Sequence, residues 1–235
     1  MDDISSLTQL VIDDRSVSPS RVAFLVRRYP EDGSEALRAA LEEALGAGLS
    51  AFEAERDPVW RSLWLGAFAD AAMLAADDGL QALVEAEVPR VVDQLEAEVR
   101  RVYEPGEGAM GEPVGRQIDL ALALLTAFDL SGRLPYAMLA EELVQLLRRH
   151  ALEDTGLFRA DTRANARAVQ VCCRLAALHR DRDYTARAVV APGAHYGELG
   201  RTLLEALGHD ACGAADAVEY GLARLDAFAL NALPN

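Results

Sequence analysis

The sequence predicts an all-α protein of tandem helical hairpins, arranged as a partial or open toroid or as an α-solenoid. A leucine-containing helical segment recurs about every 50 residues, which is typical of stacked helical units. No long stretch alternates with the period of a strand, and helix start and stop signals are frequent. We expect residues 1–235 to form one domain. The recurring segments are Leu25-Val26-Arg27, Leu74-Ala75-Ala76, Leu125-Thr126-Ala127, Leu175-Ala176-Ala177 and Leu225-Asp226-Ala227.

Capping residues mark the helix boundaries. Ser18-Pro19 and Asp57-Pro58 each begin a helix, because serine and aspartate cap helices and proline suits the first helical position. Pro89 is expected to kink or split its helix, and residues 190–193 break the return helix of the fourth hairpin. The expected helices are residues 5–13, 19–28, 35–47, 58–76, 80–103, 116–130, 135–151, 164–179 and 214–230.

The connections differ in length within and between hairpins. The two helices of a hairpin are joined by short turns, as at residues 77–79 and 131–133. Successive hairpins are joined by long loops, because turn-forming residues extend over longer stretches there. Since hairpin helices alternate in direction, these long loops should share one face, where any functional site is expected. The predicted long loops are residues 48–57, 104–115, 153–163 and 208–213.

Composition excludes several classes of function. All 23 basic residues are arginine, so no internal lysine exists for a Schiff base, a pyridoxal phosphate anchor or a phosphate-binding loop. A formal net charge of −15 argues against nucleic-acid binding, which needs a basic surface. Residues 1–4 do not resemble a signal peptide, and no apolar run of bilayer length is present. We therefore expect a cytoplasmic protein with no membrane association.

The cysteines fit this expectation. Cys172 and Cys173 are adjacent on a predicted helix, where their side chains point in different directions, so they are poorly placed to pair. His209 and Cys212 have a spacing compatible with two zinc ligands, but zinc needs three or four and no second cluster is present. The sequence therefore predicts neither a metal nor a cofactor.

One segment carries a resemblance to known proteins. Asp154-Thr155-Gly156-Leu157-Phe158, followed by Asn165 and a helix to His179, is similar to a turn that leads into an inner helix of the α/α-toroid superfamily. The overall pattern resembles the terpenoid cyclases and six-hairpin glycosidases of that superfamily. This resemblance implies alternating inner and outer helices, with a ligand entering where the inner helices begin. The chain has room for four to five hairpins, and the Asp-rich motifs of squalene-type cyclases and prenyl-chain synthases are not found in it.

Candidate site residues lie on the predicted long-loop face. Asp119 and Asp161 are the candidate catalytic pair, because two carboxylates about 5 to 10 Å apart act as acid and base in glycoside hydrolysis. Capping is the alternative role for Asp161. Trp60 either stacks on a ligand or packs in the core. The candidate ligand-binding residues are Arg116, Arg163, Asn165, Trp60, Glu112 and His209.

Two functions of different classes follow. The first is a non-catalytic hairpin protein that binds a small-molecule ligand or a protein partner, with a homo-oligomer left open. The alternative is a small toroid-type enzyme, a hydrolase or a lyase or cyclase, that acts on a carbohydrate or an isoprenoid-like substrate. In that enzyme Asp119 and Asp161 would be the acid and base, and Trp60 a stacking wall. A central pocket with converging carboxylates favours the enzyme, and a filled centre favours the binding module.

Overall fold

The computed structural model describes residues 2–103, 113–189, 191–208 and 216–232, and these contain eleven helices and no strand. The prediction of an all-α fold is thereby confirmed. One isolated β-bridge joins Leu152 and Phe158. The helices are α1 (Asp2–Asp13), α2 (Pro19–Asp32), α3 (Glu35–Ala54), α4 (Pro58–Ala75), α5 (Asp78–Tyr103), α6 (Val114–Ser131), α7 (Leu134–His150), α8 (Thr162–Arg180), α9 (Arg182–Arg187), α10 (Tyr196–Leu207) and α11 (Ala217–Ala232).

The predicted capping signals determine where several helices begin. Ser18 accepts a hydrogen bond from the backbone N–H of Arg21, and Pro19 is the first residue of α2. Asp57 accepts from the backbone N–H of Val59 in the same way at the start of α4. At the other end of α2, Gly33 has φ of 60°, the left-handed conformation that ends helices and that glycine adopts without strain.

The predicted loop at residues 48–57 is wrong, and of the two effects predicted for Pro89, a kink or a split, the split is wrong. α3 continues to Ala54, so the predicted long loop at residues 48–57 is only residues 55–57. Gly48 is retained in this helix because its missing side chain lets the ring of Trp64 pack closely. Pro89 does not split α5, which is continuous around it. Pro89 is exposed, so water can hydrogen-bond the carbonyl group that proline leaves without a donor.

Five helices contact one another in a closed order. α2 packs against α4, α4 against α6, α6 against α8, α8 against α11, and α11 against α2. The five recurring sequence segments fall on these same helices. The remaining long helices pack outside them: α3 on α2, α5 on α4, α7 on α6, α10 on α8, and α1 on α11. We call the five helices the ring helices.

The ring helices are parallel. Where two of them pack, residues further along one helix contact residues further along the other. Between α4 and α6, Ser62 Oγ donates to Ala123 O at 2.9 Å, and Gly66 lies against Thr126 further along. Between α6 and α8, Asp119 pairs with Arg167, and Asp129 pairs with Arg174 further along. The α2–α11 contact is equally close, since a Cβ on Gly221 would lie 2.5 Å from the ring of Phe24. All five N-termini therefore face one end of the molecule and all five C-termini the other.

The core lies between the ring helices and the outer helices and consists mainly of leucine, valine and alanine side chains. Cys172 and Cys173 are buried and unpaired, as the sequence predicts. None of the helices in the described part of the chain has the length and apolar character needed to cross a lipid bilayer.

Candidate functional site

Several predicted site residues gather where the ring helices begin. Arg116, near the start of α6, donates two hydrogen bonds to Asp57: Nη1 to Oδ2 at 2.6 Å and Nη2 to Oδ1 at 2.9 Å. Its Nη2 also lies 3.4 Å from Glu98 Oε2 of α5. A two-bond contact between guanidinium and carboxylate is both stronger and more directional than a single bond. Arg116 therefore ties α6 to α4 and α5.

Asp119 belongs to the same end of the molecule. It pairs with Arg167 of α8, whose guanidinium carbon lies 5.2 Å from the centre of the Trp60 ring. Burial raises the pKa of Asp119 more than the charge of Arg167 lowers it, and the charge of Asp161 adds to the increase. Asp119 and Trp60 thus both contact Arg167, and Asp161 is close enough for its charge to affect Asp119. An acid and base role for Asp119 and Asp161 stays a prediction.

Asp161 and Asn165 both bind main-chain groups at the start of α8. Asp161 caps the helix by accepting from the backbone N–H of Ala164 at 2.7 Å. Asn165 is buried, and its oxygen accepts from the backbone N–H of Phe158 at 2.8 Å. Its amide nitrogen donates to the carbonyl oxygens of Phe158, Ala160 and Asp161. Asn165 therefore fixes the loop that leads into α8.

Arg163 faces the beginning of α11. Its Nε lies 3.7 Å from Asp216 Oδ1 and 3.8 Å from Glu219 Oε2, and burial raises the pKa of Glu219. Of the remaining predicted ligand-binding residues, Glu112 and His209 lie outside the described residues. We call the ion-paired group at this end the N-terminal cluster: Asp57, Arg116, Asp119, Arg163, Arg167 and Glu219.

A cavity of about 200 Å³ lies among the five ring helices. Every ring helix contributes to its lining, so it is central to the fold. The inner part of the wall is mostly apolar and includes Ala23, Leu63, Leu122 and Leu222, one from each of four helices. We call this space the central cavity. Asp119, Asp161 and Arg116 do not line it.

Charged side chains line the other part of the central cavity, toward the C-terminal ends of the ring helices. Arg27 Nη1 of α2 pairs with Asp226 Oδ1 of α11 at 2.5 Å. Arg174 of α8 pairs with Asp129 of α6 and donates to Thr126 Oγ1 at 3.2 Å. Each arginine therefore already has an acidic partner on a neighbouring ring helix.

Asp70 of α4 differs from the other carboxylates at this end. Within the described part of the chain, its carboxylate has no hydrogen bond and no ion pair within 4 Å, although it lines the cavity with Arg27 and Arg174. Burial raises the pKa of Asp70, and the charges of Arg27 and Arg174 oppose that increase without cancelling it. An unpaired, partly buried carboxylate in a cavity is a typical feature of a binding or catalytic site.

Sequence reasoning missed this end of the molecule because it assigned the site to the long-loop face. A signal was present, since Asp70 is the only charged residue between Arg61 and Asp77 in an otherwise apolar stretch. Arg27, Asp129 and Arg174 likewise lie within a few residues of the recurring segments. A charge at a similar position of successive ring helices indicates a shared polar site at their centre.

A separate buried network lies between α7, α8 and α10. One oxygen of Glu141 accepts hydrogen bonds from the backbone N–H of Ala191 at 2.8 Å and from Tyr196 Oη at 3.1 Å. The same oxygen lies 3.0 Å from His179 Nε2. Glu141 is only 3 % exposed. This network holds the segment before α10 against the outer helix α7.

The described residues contain no group of three or more histidine, cysteine, aspartate or glutamate side chains that could hold a metal ion. No protein-family model, curated protein or solved structure matches the chain. The central cavity and the N-terminal cluster are therefore the features of the molecule that indicate a function.

Proposed function

We propose that the protein is a small-molecule-binding module whose ligand occupies the central cavity. The observation that carries this proposal is the unpaired Asp70 carboxylate in a cavity to which all five ring helices contribute. Asp70 is only partly exposed and has no protein partner among the described residues, so its carboxylate is available to a ligand that enters the cavity. The apolar wall of Leu63, Leu122 and Leu222 would contact the rest of that ligand.

The size of the cavity limits the ligand. A cavity of about 150 Å³ is large enough for benzene, whereas sites for drug-sized molecules measure about 300 Å³ or more. The central cavity, at about 200 Å³, lies between these values. We therefore expect a ligand with about six to ten non-hydrogen atoms. A protein partner, a homo-oligomer and a cytoplasmic location stay predictions from the sequence.

We also infer that the ring helices form the inner layer of a closed, toroid-like ring of five hairpins. The closed contact order supports this inference, and so does the packing of α1 on α11, which supplies the outer helix of the fifth hairpin. The chain would then complete a ring with fewer hairpins than the six of a full toroid. In this arrangement the charged part of the cavity lining lies toward the C-terminal ends of the ring helices, opposite to the entrance that the toroid resemblance implies.

The alternative enzymatic function has one supporting observation, the raised pKa of Asp119 beside Asp161. Asp119 is paired with Arg167, however, and Asp161 caps α8. Among the described residues, Asp70 and Asp129 are the two carboxylates that line the central cavity, and Asp129 is paired with Arg174. The cavity lining therefore offers one unpaired carboxylate and not two. Acid and base catalysis by two carboxylates needs both to exchange protons with the substrate. Binding is therefore the better-supported function.

A fragment screen by ligand-observed NMR tests the proposal. Ala23 lines the cavity, so Ala23→Leu should fill part of it and abolish the binding of fragments that the wild-type protein binds. Ala39→Leu is the matched control, because Ala39 is exposed on the outer helix α3. Fragment binding that is lost only in Ala23→Leu supports the proposal. Binding that is the same in both variants, or no binding to the wild-type protein, would overturn it.

A further inference from the structure

The charges around the central cavity do not balance. Five charged side chains interact electrostatically near the C-terminal ends of the ring helices. They are the carboxylates of Asp70, Asp129 and Asp226 and the guanidinium groups of Arg27 and Arg174. Two positive and three negative charges sum to a net charge of −1 when all are ionised. The excess belongs to Asp70, because each of the other two carboxylates is paired with an arginine.

The position of this excess charge makes it available to a ligand. Asp70 lies seven residues beyond Leu63 on α4, which is two helical turns nearer the C-terminal end of the ring. Leu63 is therefore nearer the N-terminal end of the cavity and the carboxylate of Asp70 is nearer its C-terminal end. Asp70 is only partly exposed, and burial together with the charges of Asp129 and Asp226 raises its pKa.

The direction of the ring helices favours the same sign of ligand charge. All five C-terminal ends face this end of the molecule, and Asp129 is already in the last turn of α6. The C-terminal end of a helix carries a partial negative charge that stabilises a nearby cation. This effect is confined to the last turn, so it is smaller at Asp70, five residues before the end of α4, than at Asp129.

We propose that the ligand of the central cavity is a small organic monocation, with an ammonium group that pairs with Asp70 and an apolar body about the size of a benzene ring. This inference rests on the proposed function and specifies the chemical class of its ligand. The ammonium group supplies the hydrogen-bond donors that Asp70 lacks, and the body contacts Leu63, Leu122 and Leu222. An anion would instead meet the net negative charge of these five side chains.

Three molecules with the same body and different charge test this inference. Benzylamine, which is protonated at neutral pH, should bind about tenfold more tightly than benzyl alcohol, because a hydrogen bond to a charged group contributes about 1.5 kcal/mol or more. Sodium benzoate should bind more weakly than either. Isothermal titration calorimetry at neutral pH and low salt measures all three.

Two isosteric variants identify the residue responsible. Asp70→Asn should remove the preference for benzylamine over benzyl alcohol and leave the affinity for benzyl alcohol unchanged. Asp78→Asn is the matched control, because it removes the same charge from the same end of the molecule and Asp78 does not line the cavity. Far-ultraviolet circular dichroism should show that both variants are folded, since Asp70 takes part in no hydrogen bond among the described residues.

The outcomes separate this inference from the proposed function. A preference that persists in Asp70→Asn, or benzoate as the tightest of the three molecules, would overturn the cation inference. If the three molecules bind equally and Ala23→Leu weakens all of them, the cavity is a binding site but its ligand is not selected by charge, and the cation inference is wrong. If none of them binds, the cation inference is also wrong, and the fragment screen alone decides the proposed function.

Discussion

Arg116 and Asp57 form a two-bond ion pair between the first turn of α6 and the residue that caps α4. Asp57 therefore serves two helices at once, because the Oδ1 atom that accepts from Arg116 also accepts from the backbone N–H of Val59. The pair is partly shielded from solvent, with side-chain exposures of 25 % and 31 %. It fixes the relative position of two neighbouring ring helices at the N-terminal end.

Loss of this double role should destabilise the fold. Asp57→Ala removes a helix cap and an ion pair, and we expect it to lower the free energy of unfolding by about 2 kcal/mol. Asp77→Ala is the matched control, because Asp77 caps the start of α5 with no ion pair among the described residues. Its effect should be about 1 kcal/mol. Urea denaturation measures both, and equal losses would contradict the contribution of Arg116.

Alanine substitutions at two glycines of α3 should change the stability of the protein in opposite directions. Gly46 is exposed, and no atom lies within 4 Å of the position that a Cβ would take, so Gly46→Ala should stabilise the protein by about 1 kcal/mol through helix propensity. At Gly48 a Cβ would lie 2.6 Å from the Trp64 ring, and Gly48→Ala should destabilise by about 1 to 3 kcal/mol. Thermal and urea denaturation test the signs. Stabilisation by Gly48→Ala would show that α3 does not pack on Trp64 this closely.

The pH dependence of stability should identify Asp70. Because burial raises its pKa above the ordinary value of 3.8, the folded protein holds this proton more tightly than the unfolded chain does. The contribution of Asp70 to the free energy of unfolding is therefore largest below a pH of about 3.8. It falls as the pH rises from 3.8 through the raised pKa. Asp70→Asn does not titrate, so the variant should gain stability relative to the wild-type protein between acidic and neutral pH.

Urea denaturation of both proteins at a series of pH values measures this difference. Subtracting the wild-type curve removes the contributions of Asp119 and Glu219, whose pKa values are also raised by burial. A difference that is constant with pH would mean that Asp70 is not shielded from water.

The buried network around Glu141 should be important for stability. Glu141→Ala leaves the N–H of Ala191 and the hydroxyl of Tyr196 without this acceptor, and we expect a loss of about 3 kcal/mol. Glu142→Ala is the matched control, since Glu142 is the exposed neighbour on the same helix. It should change stability by less than about 0.5 kcal/mol. Similar effects of the two substitutions would argue against the role of the network.

The helical class was predictable because helix signals are local. The caps at Ser18 and Asp57 and the recurring leucine segments depend on neighbouring residues in the chain, and they identify the ring helices. Gly48 shows the limit of local signals. Glycine there indicates a loop by propensity, whereas contact with Trp64, which is distant in sequence, keeps it in a helix.

The site was predictable only in part. Asp119 and Trp60 both contact Arg167 at the start of the ring helices, because residues in the first turns of parallel helices are brought together. The central cavity instead depends on how five helices pack side by side, with Gly66 close to Thr126 and Ala23 opposite larger side chains. Its volume and the unpaired state of Asp70 are properties of the assembled ring, so no single segment of sequence indicates them.

The most direct test is a crystal structure of the protein with the tightest-binding fragment from the screen. We predict electron density for the fragment between α2, α4, α6, α8 and α11, with a polar atom of the fragment within hydrogen-bond distance of Asp70. Density only at another surface, with the central cavity empty or closed by its own side chains, would contradict the proposed function.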